Sequence, residues 1–250
     1  MKILLIAGHG GSSGGVSGGG GDPGACAFGL KEANLTRDLV SKIYNNLKHS
    51  VVVHVYDTSK NLYSELKSGR ESKNIFKLYD YVLECHFNAC VQDLEGNGYT
   101  TGSECFVKGE KGITVEQGIL AGLSSLGFKN RGVKERTNLQ NLNMCRSVGT
   151  SYCLLETCFI DDKDDIDLYL KNKDAVAKVV SDAILKGFGI KEVESTVVPT
   201  ELVTVNDIVW ELANRGIISN SELWLKKLEE DINSYWLARK AVKYIRDNDK

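Results

Sequence analysis

Apolar and polar positions alternate along the chain in blocks that predict strands and helices in turn. Residues 2–7, KILLIA, carry a continuous apolar run, the pattern of a strand buried on both faces. From Glu32 onward, Leu35, Leu39, Ile43 and Leu47 recur at four-residue steps, which predicts an amphipathic helix in EANLTRDLVSKIYNNLKH. SVVVHVYDT predicts a β-branched strand, residues 60–78 a loop and helix of mixed charge, and YDYVLECHFNA a third strand. After the turn-rich LEGNGYTTG, SECFVKG predicts a strand and GITVEQGILAGLSSLG a helix closed by Gly127. SYCLLETCFI predicts another buried strand. The segment that follows, from Asp161 to Gly189, has acidic residues at its start and glycines at its end, the polarity of a helical segment.

Strands alternating with helices predict an α/β fold, a mostly parallel sheet with helices on both faces. This architecture is assigned to residues 1–190, followed by a linker over 191–204. Residues 205–250 predict a small all-helical unit of three short helices carrying Trp210, Trp224 and Trp236. A unit of roughly 50 residues buries little core by itself, so it is expected to pack on the main domain, form a homo-oligomer or bind a partner.

Composition narrows the function classes. Of the 250 residues, 31 are basic and 33 acidic, for a net charge of −2, and no basic run marks a nucleic-acid partner. No apolar stretch of about 18 residues predicts a membrane span. The opening MKILLIAGHG is too short for a signal peptide, so synthesis in the cytoplasm without one is expected. The seven cysteines are odd in number and never spaced as Cys-x-x-Cys, and most lie in apolar runs, where free cysteine acts as a small hydrophobe.

The chemistry concentrates around His9. Ten glycines lie between positions 8 and 24, a density that is entropically costly unless the segment stays mobile or wraps closely around something. A dinucleotide site does not fit, because its glycines run directly into a helix and here the helix begins only at Glu32. His9 and His86 each end an apolar strand beside small or polar residues, whereas His49 and His54 suit surface or core positions. Two such imidazoles with Glu32 at the head of a helix make a three-ligand set of the kind catalytic zinc uses, with a fourth position left for water. Each histidine alone also suits a structural role, and the compact H-E-x-x-H arrangement is absent. Glu156, a carboxylate inside an apolar strand, suits either a general base with raised pKa or a salt bridge with Arg131 or Arg146.

Taken together, these segments resemble the zinc-dependent N-acetylmuramoyl-L-alanine amidases of bacteria and their phages. The resemblance rests on GHGG at 8–11, GDPGA at 21–25, GLKEANL at 29–35, ECHFNA at 84–89, RGVK at 131–134 and LLETCFIDD at 154–162, in that order over about residues 1–190. Glu84 and Cys85 stand where that family usually has small or apolar residues before its second histidine. The resemblance implies His9, Glu32 and His86 as zinc ligands and Glu156 as the catalytic carboxylate. It implies hydrolysis of the amide between N-acetylmuramic acid and L-alanine in peptidoglycan, as a phage lysin or bacterial autolysin acting at the cell wall after release. A non-catalytic wall-binding protein on the same scaffold is the alternative, and a nucleotide-binding Rossmann-like protein a weaker one. The C-terminal helices are expected to serve wall targeting or assembly.

Overall fold

The first apolar run becomes β1 (Lys2–Ala7), which lies inside a six-stranded sheet. The computed structural model describes residues 1–11, 21–109, 113–190, 208, 209, 212, 213, 217, 218 and 220–230. A short antiparallel pair, β2 (Cys26–Ala27) and β3 (Leu30–Lys31), feeds the chain into α1 (Glu32–Leu47). Then come β4 (Val52–Val55), α2 (Leu62–Lys67), a 3₁₀ turn over Lys73–Leu78 and β5 (Tyr81–Asn88). The second half supplies β6 (Ser103–Val107), α3 (Thr114–Ser125), β7 (Asn130–Glu135), α4 (Gln140–Ser147), β8 (Ser151–Phe159) and α5 (Lys163–Gly187).

The strand order is β4-β1-β5-β8-β6-β7, and every neighbouring pair is parallel except β6 with β8. The expected α/β architecture is therefore the observed one, with β6 and β7 running against the other four strands. A parallel return needs a crossover, usually helical. No helix lies between β5 and β6 among the described residues; the loop over 89–102 simply turns the chain back.

Strand periodicity sorts the core onto two faces. Ile3, Leu5, Leu83, Cys85 and Leu155 point to the side covered by α1, α3 and α5. Leu4, Ile6, Val82, Tyr152 and Leu154 point to the side covered by α2, the 3₁₀ turn and α4. Two elements were not expected from the sequence. β7 is a half-exposed edge strand with one apolar side chain, and α4 is a two-turn helix anchored by Leu142 and Cys145. All seven cysteines are free; five are buried, and Cys26 and Cys90 are exposed.

The chain divides into two units, Met1–Val193 and Glu194–Lys250. In the second, a helix over Ser221–Glu230 carries Trp224, with the Lys227 ammonium 5.0 Å from the indole centroid. Trp210, Trp236 and the expected linker at 191–204 lie outside the described residues. No described helix is long and apolar enough to cross a membrane.

Candidate metal centre

The site forms where β1, β5 and β8 end. Just after β1, Gly8 passes so close to His86 that a Cβ there would lie 2.3 Å from the imidazole Cε1. The next residue, His9, takes a left-handed backbone with φ of 62°. Its ring is fixed on one side by Asp22, whose Oδ2 lies 2.8 Å from His9 Nδ1. The Arg37 guanidinium donates to the His9 carbonyl at 3.1 Å and steadies the same turn.

The Asp-Pro-Gly segment then brings the chain back beneath the imidazole. Gly24 has φ of +66°, and a Cβ on it would meet Glu32 Oε2 at 2.6 Å and His9 Cδ2 at 2.9 Å. Both glycines flank the centre closely, so part of the glycine density is explained by backbone approaching side chains; residues 12–20 lie outside the described set.

Glu32 is the first residue of α1, where the helix dipole favours a carboxylate. Its two oxygens divide the work. Oε1 accepts the Phe87 N–H at 2.9 Å and lies 2.9 Å from His86 Nδ1. Oε2 accepts the Ala25 N–H at 2.9 Å and lies 3.2 Å from His9 Nε2. Burial alone would raise its pKa, but the two imidazoles outweigh that and hold the carboxyl well below the usual range. The effect is mutual. Burial would lower both histidines, yet the carboxylate contacts raise His9 and raise His86 further.

His9, Glu32 and His86 thus each offer a donor atom, all within 4.8 Å of one another. The two rings stand edge to face with centroids 4.9 Å apart. The donor set suits zinc: two imidazole nitrogens and one carboxylate oxygen, with a carboxylate on the outer nitrogen of each ring. For His9 that outer partner is Asp22; for His86 it is Glu84, at 3.0 Å from Nε2.

Glu156 sits beside this set, paired in register with His86 on one side and Glu104 on the other. Its Oε2 is shielded from solvent and has no hydrogen-bond partner among the described residues. Burial pushes its pKa up to about 7, opposed by His86 and reinforced by Glu32 and Glu104. The salt bridge considered for Glu156 does not form. Arg131 pairs with Glu104 at 3.1 Å, and Arg146 donates to the carbonyls of Thr150 and Gly109.

Sequence reasoning gave no role in the site to Asp22, Glu84 or Glu104. Glu104 is buried, accepts from Asn88 at 2.8 Å and also pairs with Lys134, which keeps it ionised against its burial. The signal for it was available, since it is a lone acid in the apolar strand SECFV, as Glu156 is in SYCLLETCFI. Glu84 lies two residues before His86 on a strand and so had to share its face.

Comparison with known proteins points the same way. A family model described as N-acetylmuramoyl-L-alanine amidase matches residues 3–186. Similar proteins include the probable autolysin PH of Staphylococcus aureus, 28% identical over 197 residues, covering 73% of this chain and 38% of that protein. The endolysin of Bacillus phage SPP1 is 28% identical over 174 residues, covering 68% of this chain and 59% of that one. The chain therefore spans less than two thirds of either relative. Among solved structures, the catalytic domain of the CD27L endolysin targeting Clostridia Difficile matches with a TM-score of 0.58 at 26% identity, covering 74% of this chain and 97% of that one. The N-acetylmuramoyl-L-alanine amidase AmiC2 of Nostoc punctiforme shares the fold, with a TM-score of 0.58 at 19% identity over 76% of this chain and 97% of that one.

Proposed function

This chain belongs to the N-acetylmuramoyl-L-alanine amidase family, and on that basis we propose that it hydrolyses the amide joining N-acetylmuramic acid to the L-alanine of the peptidoglycan stem. The observation that carries the reading is the convergence of His9, Glu32 and His86 beside a carboxylate, Glu156, whose buried Oε2 has no hydrogen-bond partner among the described residues. His9 Nε2, His86 Nδ1 and a Glu32 oxygen would hold a zinc ion. When bound, zinc supplies Lewis acidity, which polarises a carbonyl and lowers the pKa of water.

The remaining work falls to protein groups. Glu156 is the proton carrier. In its ionised form it takes a proton from the attacking water and delivers it to the departing alanine nitrogen. Its burial and the carboxylates around it make it basic enough to accept that proton near neutral pH. Glu32 is held by the Ala25 and Phe87 amides as well as by the imidazoles, so its position does not depend on substrate. The family's substrate is a wall polymer, so the place of action is the bacterial cell wall.

The test is a digest of purified peptidoglycan. A free lactyl group on muramic acid and a new N-terminal alanine are the expected products. Glycan cleavage, or cross-bridge cleavage with the lactyl amide intact, would overturn the assignment.

A further inference from the structure

We infer that Glu84 is a positioning residue for His86: its carboxylate takes the hydrogen on Nε2 and thereby presents the Nδ1 lone pair to the centre. The inference rests on the reading of His86 as a zinc ligand and adds a residue to it.

Geometry carries the argument. Glu84 and His86 are two residues apart on β5, so both side chains leave the sheet on the face covered by α4. Glu84 is only 5% exposed, among the apolar side chains of that face. A carboxylate there is costly unless its oxygens are matched by donors. They are. Oε1 lies 3.0 Å from His86 Nε2, the Asn141 amide reaches Oε1 at 3.2 Å and Oε2 at 3.0 Å, and the Tyr152 hydroxyl donates to Oε2. Tyr152 and the Asn141 amide nitrogen are donors toward an acceptor-only carboxylate. With those contacts made, the carboxylate can satisfy the ring only by accepting from Nε2–H. Without a metal, Nδ1–H donates to Glu32 Oε1 at 2.9 Å; once a cation displaces that proton, the ring keeps its proton on Nε2 and offers the Nδ1 lone pair to the centre.

The two histidines are therefore held differently. The outer partner of His9, Asp22, has a side chain 47% exposed, whereas that of Glu84 is 7% exposed. Water can replace Asp22 as an acceptor, but it has little access to the Nε2 side of His86. Glu84 fixes the tautomer and the ring plane together, and its fixed charge makes Nδ1 a stronger donor.

Zinc affinity is measured by chelator competition in wild type, Glu84→Gln and His86→Ala, with circular dichroism and thermal unfolding of the metal-free proteins alongside. Glu84→Gln keeps the shape of the side chain and removes its charge. The expected result is an affinity loss of about 10- to 100-fold with an altered visible spectrum of the Co²⁺-loaded protein. Wild-type affinity and spectrum in Glu84→Gln, with zinc lost in His86→Ala, would overturn the role of Glu84 alone. Wild-type affinity in His86→Ala would overturn the ligand assignment beneath it. A measurement on the unaltered chain decides the tautomer independently: long-range ¹⁵N–¹H correlation of the zinc-loaded protein should find the His86 proton on Nε2. A proton on Nδ1 would contradict the proposal.

Discussion

Two carboxylate-rich clusters lie at the carboxyl ends of the strands, and they put the same side chains to opposite uses. After β8, Asp161, Asp162, Asp164 and Asp165 accept backbone N–H groups. Asp161 Oδ2 takes those of Cys90, Val91 and Gln92, Asp164 Oδ2 those of Asn97 and Gly98, and Asp165 those of Gly102 and Phe159. Asp162 caps α5 through Asp165 N–H and holds Thr101. That cluster pins the loop between β5 and β6. Around β1 and β5, by contrast, Glu32, Asp22 and Glu84 face imidazoles, and Glu156 Oε2 has no hydrogen-bond partner among the described residues. The first cluster answers mainly to backbone donors and orders a loop; the second also holds two imidazoles, which is what makes it a site.

The contrast is broken most severely by His86→Ala, which should bring zinc content and peptidoglycan hydrolysis to background while the fold survives, as checked by metal analysis and circular dichroism. Zinc content equal to wild type would remove His86 from the ligand set. Next, Glu156→Gln should lower hydrolysis by about 10²- to 10⁴-fold and leave zinc content intact. Activity within a few fold of wild type would exclude Glu156 as the proton carrier. On the other side of the comparison, Asp161→Ala deprives three amides of their acceptor and should cost about 1–3 kcal/mol. That corresponds to about 2–4 °C of Tm for each kcal/mol. Zinc affinity should not change. If this variant lost zinc and kept its Tm, the division between fold and site would be wrong.

A pH profile sharpens the picture. Glu156 acts as a base when ionised, and burial pushes its pKa up to about 7, with the His86 and His9 charges already opposing that rise. Hydrolysis should therefore fall as pH drops through the neutral range, with a limb that is absent from the residual activity of Glu156→Gln. Activity that rises toward acid would contradict the base role. Zinc uptake should weaken in the same direction. The raised pKa values of His9 and His86 mean that protons compete for the ligand nitrogens already above the ordinary histidine range. The smallest effect is expected from deleting residues 205–250, for which wall targeting or assembly is our proposal. Wall pull-down should weaken while turnover of soluble wall fragments persists.

Much of this was legible in the residues. His9, His86 and Glu156 stood out because each interrupts or ends an apolar strand, and strand ends are where such sheets place ligands. Glu32 was visible as the acid heading an amphipathic helix. The direction of β6 was not legible, because a strand's side-chain pattern is the same whichever way it runs. β7 and α4 escaped because an edge strand and a two-turn helix bury too few apolar groups to set a period. Glu84 escaped for a different reason. Its meaning depends on Tyr152 and Asn141, 68 and 57 residues away in sequence, and only the folded sheet brings them to it.

The central claim is that one divalent ion is held jointly by His9, Glu32 and His86. Anomalous diffraction at the zinc edge from crystals of the zinc-loaded protein tests it directly. The account predicts one strong peak bounded by His9 Nε2, His86 Nδ1 and a Glu32 oxygen, adjacent to Glu156. Zinc bound elsewhere, with no peak at this cluster in a protein that still hydrolyses peptidoglycan, would contradict it.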